Sequence, residues 1–270
     1  MLSEKYIAGF LDSDGCICLK WDKRREHPSM QIEFSQKSSR DAVLFLIRDA
    51  IGGSIRIVAR KGGEYTSLTL SGKKAKMALQ RMKKYLVLKK EYAERVDEVL
   101  CMKNIVCRDS EKAALAAARK TQARPMNFPP RKWLAGYFDG DGCVSVHSIG
   151  KSGQAHIRAH IVASGYDSHG LRLIQKAFGG QIYKRGNNNC VEWFLHLCPS
   201  KAIHFFSYFS KHSIVKKSQI DFILGCAQVG HYRDGIGIKS KLKQLKAQEH
   251  RLSDSGGDVC PMRQSGAQTC

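Results

Sequence analysis

No apolar run in this 270-residue sequence reaches the roughly 18–20 residues that a membrane-spanning helix needs. Its ten cysteines include no CxxC pair. The tightest cluster, Cys190, His196 and Cys198, falls on one expected strand with no second ligand pair near it in sequence. That argues against a zinc knuckle and a disulfide framework, and reads the thiols as reduced structural side chains. Acidic residues are scarce: 24 Asp+Glu face 45 Lys+Arg, a net charge of +21. A surplus of that size repels itself unless the partner is a polyanion, and nucleic acid is the default polyanion. The opening MLSEKYIAGFLDSDG carries Glu4, Asp12 and Asp14 and lacks the pattern of a signal or transit peptide. The protein is therefore expected to stay where it is made, in the cytoplasm or in an organelle that encodes it, with no membrane partner.

A hydrophobic fraction of 43% with 26% charged residues is ordinary globular composition, and 270 residues are enough chain for one large domain or two of about 130 residues each. The sequence divides in the second way. YIAGFLDSDGCI, from Tyr6 to Ile17, aligns with WLAGYFDGDGCV, from Trp133 to Val144. The offset is 127 residues, and carried onward without gaps it places Gly52-Gly53 on Gly179-Gly180, Leu68 and Leu70 on Leu195 and Leu197, and Lys89-Lys90 on Lys216-Lys217. A register that survives so far marks an internal duplication.

Each copy reads as helix, two strands, helix, two strands, helix, helix. Ser3 is the expected N-cap of the opening helix, and Pro130 sits near the first turn of its counterpart. Met30, Ile32 and Phe34 alternate with Gln31, Glu33 and Ser35; Ile157, Ala159 and Ile161 alternate with His156, Arg158 and His160. Ala75, Ala78, Leu79 and Met82 recur at helical spacing, as do Ala202, Phe205, Phe206 and Phe209. The fold class is thus α+β: two pseudo-symmetric αββαββα halves with antiparallel sheets, one face under helices and the other polar. The expected boundaries are a first half over 1–108, a linker over 109–130 with an alanine-rich helical middle, a second half over 131–230, and a basic tail over 231–270. Within the tail, 239–252 reads as a short basic helix and 253–270 as disordered.

Two acidic frames stand out in so basic a chain: Asp12-Ser13-Asp14-Gly15 and Asp139-Gly140-Asp141-Gly142. Both lie at the C-terminal end of an apolar helix, where the macrodipole disfavours carboxylates by up to about 1 kcal/mol. A divalent cation would offset that cost, and hard carboxylate oxygens suit Mg²⁺. An EF-hand does not fit, because the glycine is fourth in the run and the bidentate Glu is missing. Ala8-Gly9 and Ala135-Gly136 would let the two helices cross closely, bringing Asp14 and Asp141 together at their tips.

These two frames resemble the paired signature motifs of the LAGLIDADG homing endonucleases in their single-chain form, over about residues 1–230. The resemblance implies a monomer whose motif helices form the interface between the halves and whose sheets make a saddle over the DNA major groove. It nominates Asp14 and Asp141 as metal-binding catalytic acids, with the carbonyls of Ser13 and Gly140 as auxiliary ligands. Two or three divalent ions are implied, Mg²⁺ for the reaction, with Mn²⁺ or Ca²⁺ able to substitute in binding. Lys89 and Lys216, in LVLKK and SIVKK, take the place of the family's basic residue near the scissile phosphate, there to polarise water or neutralise developing charge. Gln36 supplies the polar water-ordering residue after the second strand, with Lys37 and Arg40 nearby. The second copy departs here, with Ala163, Ser164 and Asp167, so unequal cleavage of the two strands is expected.

On the saddle, the resemblance puts DNA against Lys20, Asp22, Arg24, Gln31, Glu33, Ser35, Lys37, Arg40, Arg56 and Tyr65 in the first copy. The second contributes Ser145, His147, His156, Arg158, His160, Tyr183 and Arg185. Arg pairs bidentately with guanine and Gln with adenine. Because the two sets differ, the target is expected to be a long asymmetric duplex. The implied function is site-specific, Mg²⁺-dependent hydrolysis of one phosphodiester per strand, by an intron-encoded protein. Two other readings stay open: an RNA-binding intron maturase on the same fold, acting on its own intron RNA, and a catalytically inert DNA-binding protein.

Overall fold

The computed structural model describes residues 2–21, 28–60, 63–102, 108–120, 128–164, 168–184, 190–230 and 232–248. Asp22, Arg24 and Arg185 lie outside the described residues, as does the stretch from 249 to 270.

The first half runs α1 (Glu4–Asp14), β1 (Gly15–Lys20), β2 (Ser29–Lys37), α2 (Ala42–Ile51), β3 (Ser54–Arg60), β4 (Gly63–Ser71), α3 (Gly72–Met82) and α4 (Lys90–Cys101), followed by α5 (Arg108–Lys120). The second repeats the order as α6 (Arg131–Asp141), β5 (Gly142–Ile149), β6 (Ala155–Ser164), α7 (Ser168–Phe178), β7 (Gln181–Lys184), β8 (Cys190–His196), α8 (Pro199–Phe209) and α9 (Lys217–Gln228), followed by α10 (Gly235–Gln248). Each half holds a four-stranded antiparallel sheet, in the order β1-β2-β4-β3 and β5-β6-β8-β7. No helix among the described residues is long and apolar enough to cross a membrane.

The period-2 pattern sets the two faces of each sheet. In β2, Met30, Ile32 and Phe34 are buried, and their ladder partners across β4 place Ile32 against Leu70 and Phe34 against Leu68 on the same face. In β6, Ile157, Ala159 and Ile161 are buried likewise, with Trp193 opposite Ile161. The helical stripes Ala75, Ala78, Leu79, Met82 and Ala202, Phe205, Phe206, Phe209 cover these faces. In the second half the stripe is aromatic: Phe138 meets Phe205, Phe206 and Phe209 at 5.4–5.9 Å between ring centroids. The apolar helices end where expected, at Gly52 (φ 79°) and Gly179 (φ 76°), conformations that cost a β-carbon-bearing residue steric strain.

The motif helices α1 and α6 make the most extensive contact between any two elements. A β-carbon on Gly9 would stand 2.0 Å from the Trp133 carbonyl oxygen, and one on Gly136 2.1 Å from that of Tyr6. The two backbones therefore touch, so the buried faces of both halves join in one core.

Three local expectations are refined. Ser3 occupies the N-cap position of α1, but its hydroxyl makes no capping bond; the backbone carbonyl alone accepts from Tyr6 and Ile7. A helix spans Arg108–Lys120, most of the expected linker, with Leu115 buried. The basic helix after the second half starts earlier than its charge pattern suggests, at Gly235, because Ile238 and Leu242 are buried where it packs on β5, β6 and α9.

Candidate active site

Asp14 and Asp141 are the last residues of α1 and α6. The crossing of the two helices carries their ends together: the Asp14 carboxylate oxygen Oδ2 lies 3.2 Å from where a β-carbon on Gly140 would stand, and Ser13 Oγ 2.0 Å from it. Residue 140 thus has room for no side chain, since the opposite helix end fills that space. Burial pushes the Asp14 carboxyl up in pKa, while the charge of Lys216, the Gln36 amide and the charge of Lys89 pull it back down. The lysine of the other half acts on Asp14 alongside that of its own.

Gln36 reaches Asp14 for a reason visible in the strand. It continues the row Met30, Ile32, Phe34 on the helix-facing side of β2, at the end nearest the α1 terminus, and its Nε2 donates to Asp14 Oδ2. At the corresponding place in β6 stands Ala163, buried and without a donor. The matched strand positions therefore differ: Gln36 reaches its motif carboxylate, whereas Ala163 has no side-chain donor to offer.

Both lysines close on the helix ends. Lys89 Nζ donates to the carbonyl oxygens of Leu11 at 2.6 Å, Asp12 at 2.8 Å, Gly15 at 2.8 Å and Ser13 at 3.4 Å. Lys216, buried, donates to the carbonyls of Asp139 and, at 3.2 Å, Gly140. Burial drives the Lys216 pKa down, opposed by the charges of Asp139 and Asp14. A divalent cation is therefore not the sole counter-charge available at these helix ends. An ammonium from the chain already caps each end and satisfies its free carbonyls.

Asp12 and Asp139, which the sequence reading left without a role, hold these lysines in place. Asp12 accepts backbone N–H groups of Val87 at 2.7 Å, Leu88 at 3.2 Å and Lys89 at 2.8 Å. Asp139 accepts those of Ile214 at 2.6 Å, Val215 at 3.1 Å and Lys216 at 3.1 Å, together with the Ser213 hydroxyl at 2.6 Å. Each carboxylate also takes one bond from the other half: Trp133 Nε1 donates to Asp12 Oδ2 at 2.8 Å, and the Tyr6 hydroxyl to Asp139 Oδ2 at 2.7 Å. Tyr6 and Trp133 are counterparts under the 127-residue offset. The signal was in the sequence, as an acid two residues before each nominated ligand, but its partners lie some 75 and 120 positions away.

The donor set suits a hard cation: a carboxylate, with backbone carbonyls at the ends of both motif helices. Among the described residues no group of three or more His, Cys, Asp or Glu side chains is placed to hold a metal. Ions at Asp14 and Asp141 would therefore draw on the Ser13 and Gly140 carbonyls, which the lysines now contact, and on groups from outside the chain.

The remaining expected residues lie on the sheet faces turned away from the core. Lys20 pairs with Ser29, Gln31 and Glu33 face Cys18 and Cys16, Ser35 faces Ser67, Lys37 faces Tyr65, and Arg56 faces Ser67. In the second sheet Ser145 faces Arg158, Ser148 faces His156, and His160 faces Cys143; His147 sits at a bulge and meets the His196 ring at 6.1 Å. Tyr183 faces Glu192 and donates to its carboxylate at 2.7 Å. Arg40 ends a short 3₁₀ turn after β2. Ser35 Oγ, Arg40 Nε and Arg158 Nε are buried atoms with no hydrogen-bond partner. The sequence reading passed over further residues of one central strand on each face: Ser67 and Thr69 in β4, and Glu192, Phe194 and His196 in β8. They alternate with buried Leu68 and Leu70, and with Trp193 and Leu195, so the alternation held the signal.

Residues 134–229 match the family model described as LAGLIDADG endonuclease. No curated protein matches. The chain is similar in structure to LAGLIDADG homing endonuclease I-GzeII, solved in complex with a DNA target, at 15% identity and a TM-score of 0.66, covering 93% of this chain and 98% of that one. It is similar to LAGLIDADG meganuclease I-AabMI, solved with uncleaved DNA, at 16% identity and a TM-score of 0.63, covering 91% and 98%. A third is I-SmaMI, bound to uncleaved DNA in the presence of calcium ions, at 18% identity and a TM-score of 0.57, covering 95% and 99%. The second half thus matches the LAGLIDADG endonuclease family model, and the chain as a whole, with one helix of this kind in each half, shares the fold of these solved structures.

Proposed function

We propose that this protein is a sequence-specific endonuclease that hydrolyses one phosphodiester in each strand of a long asymmetric DNA duplex, with divalent metal. The observation that carries this reading is the meeting of the two motif-helix ends, where the Asp14 carboxylate lies against Gly140 and within the field of both Lys89 and Lys216. A chain of net charge +21 that keeps a half-buried carboxylate at this crossing is suited to gathering a polyanion around an acidic centre.

In this reading Asp14 and Asp141, with the carbonyls of Ser13 and Gly140, hold Mg²⁺. When bound, such an ion supplies activated water and stabilises the leaving oxygen. Lys89 and Lys216 release a helix-end carbonyl to reach the phosphate and offset the charge that builds on it. Gln36 orients the Asp14 carboxylate, and Ala163 leaves the second site without that support. The open sheet faces, with Gln31, Arg56, His156 and Arg158 among their polar rows, read base edges.

Cleavage of a randomised duplex library in Mg²⁺ would test activity and find the target together. Recovered cuts at one asymmetric site, lost in both Asp14→Asn and Asp141→Asn while binding remains, are the expected result. Full cutting by either variant would overturn the metal assignment. Binding of RNA with no cleavage of any duplex would overturn the nuclease reading.

A further inference from the structure

The 127-residue offset does not stop at α4 and α9. It carries Leu115 of α5 onto Leu242 of α10, both buried, and the span of α5 onto that of α10 within a residue. The next turn of each helix bears a cation at matched positions, Arg119 and Lys246. Lys246 Nζ lies 3.4 Å from Cys143 Sγ, and Cys16 and Cys18 are close enough to Arg119 to be among the groups that favour its charge. Cys16 and Cys143 are themselves counterparts, each two residues beyond a motif acid.

Both cations thus stand beside the strand that leaves a motif helix, and on its open side. Cys16 and Cys18 flank buried Ile17, and Cys143 precedes buried Val144, so the thiols face away from the core. β1 and β5 are edge strands, which leaves room for α5 and α10 to bring a side chain over the rim. Among the described residues neither cation is paired with a carboxylate. Arg119 donates to the Tyr92 hydroxyl at 2.8 Å and stacks on its ring at 4.6 Å, while Lys246 meets the Cys143 thiol, which burial pushes up but the His160 hydrogen bond and the Lys246 charge together bring down to about 7. A polyanion would find one cation without a carboxylate partner in each half, beside the strand that follows the motif acid.

We propose that the repeat unit includes this third helix, and that Arg119 and Lys246 are a matched pair of phosphate contacts gripping the duplex backbone beside the cut in each half. The assignment rests on the reading of the protein as a DNA endonuclease. It makes α5 and α10 equivalent arms of the binding surface.

The test is binding to a 40-base-pair duplex of arbitrary sequence, without divalent ions, across a range of monovalent salt. Arg119→Met and Lys246→Met keep an apolar stem and remove the charge. Each is expected to weaken binding about fivefold at 0.1 M salt and to make the slope of log K against log salt shallower by about 0.9, the two effects adding in the double variant. Lys74→Met, an exposed change on α3, should leave the slope alone, and Arg119→Lys and Lys246→Arg should retain it. Equal slopes in wild type and both Met variants would overturn the proposal while leaving DNA binding intact. Equal loss in the charge-conserving variants would overturn it too, because packing rather than charge would then be at work. A flat salt response in the wild type would instead remove the endonuclease reading on which it rests.

Discussion

The indole N–H of Trp133, in the second half, donates to the carboxylate of Asp12, in the first, at 2.8 Å, and that carboxylate in turn fastens the turn bearing Lys89. The Tyr6–Asp139 bond reciprocates it around Lys216. Each lysine is thus positioned by an acid of its own half that an aromatic residue of the other half secures. The two sites are held by one cross-linked frame.

Trp133→Phe keeps an aromatic ring, though a smaller one that adds a packing loss, and deletes the donor to a fully buried carboxylate. Hydrogen bonds to charged groups contribute about 1.5–3 kcal/mol. Urea unfolding should show a loss in that range, and Tyr6→Phe a similar one at Asp139. A change below about 0.5 kcal/mol in both would mean that the cross-links are not structural.

Gly9→Ala and Gly136→Ala place a methyl group 2.0–2.1 Å from a backbone carbonyl oxygen of the facing helix. No rotamer relieves such a contact, so the helices must separate. The expected cost is about 3 kcal/mol or more for each, read as a lowered thermal midpoint. A wild-type midpoint would show that the helices do not cross as closely as described.

Gln36→Ala makes the first site resemble the second, where Ala163 stands. Loss of one bond to the Asp14 carboxylate should slow cleavage of one strand about tenfold, equivalent to about 1.4 kcal/mol, and leave the other strand unchanged. Separate end-labels on the two strands would read this. Equal slowing of both strands would assign Gln36 to the frame rather than to one site.

Burial lowers the Lys216 pKa, so this ammonium loses its proton below the range of an ordinary lysine as pH rises. If its charge assists the reaction, cleavage should fall on the alkaline side, and Lys216→Arg, which stays charged, should move that limb upward. The linkage sign for stability is opposite. The charged form is disfavoured in the fold, so stability increases as pH climbs from the folded pKa towards that of the unfolded chain. A rate that rises with pH through the same window would make Lys216 a base instead.

The sequence by itself determined the duplication, the alternation that splits each sheet into a core face and a polar face, and the helix ends at Gly52 and Gly179. Those are local patterns, written at spacings of 2, 3.6 and 127 residues, and each needs only its own neighbourhood to take effect. It also placed Asp14 and Asp141 at helix ends and found Gln36 and the two lysines. What tertiary structure decided is what touches what: that Lys89 and Lys216 cap the motif helices, that Asp12 and Asp139 clamp the lysine turns, and that Trp133 and Tyr6 bond across the halves. Backbone N–H and carbonyl groups supply most of those bonds, and every residue has them, so composition carries no mark of which will meet. Only the close crossing at Gly9 and Gly136 fixes the partners.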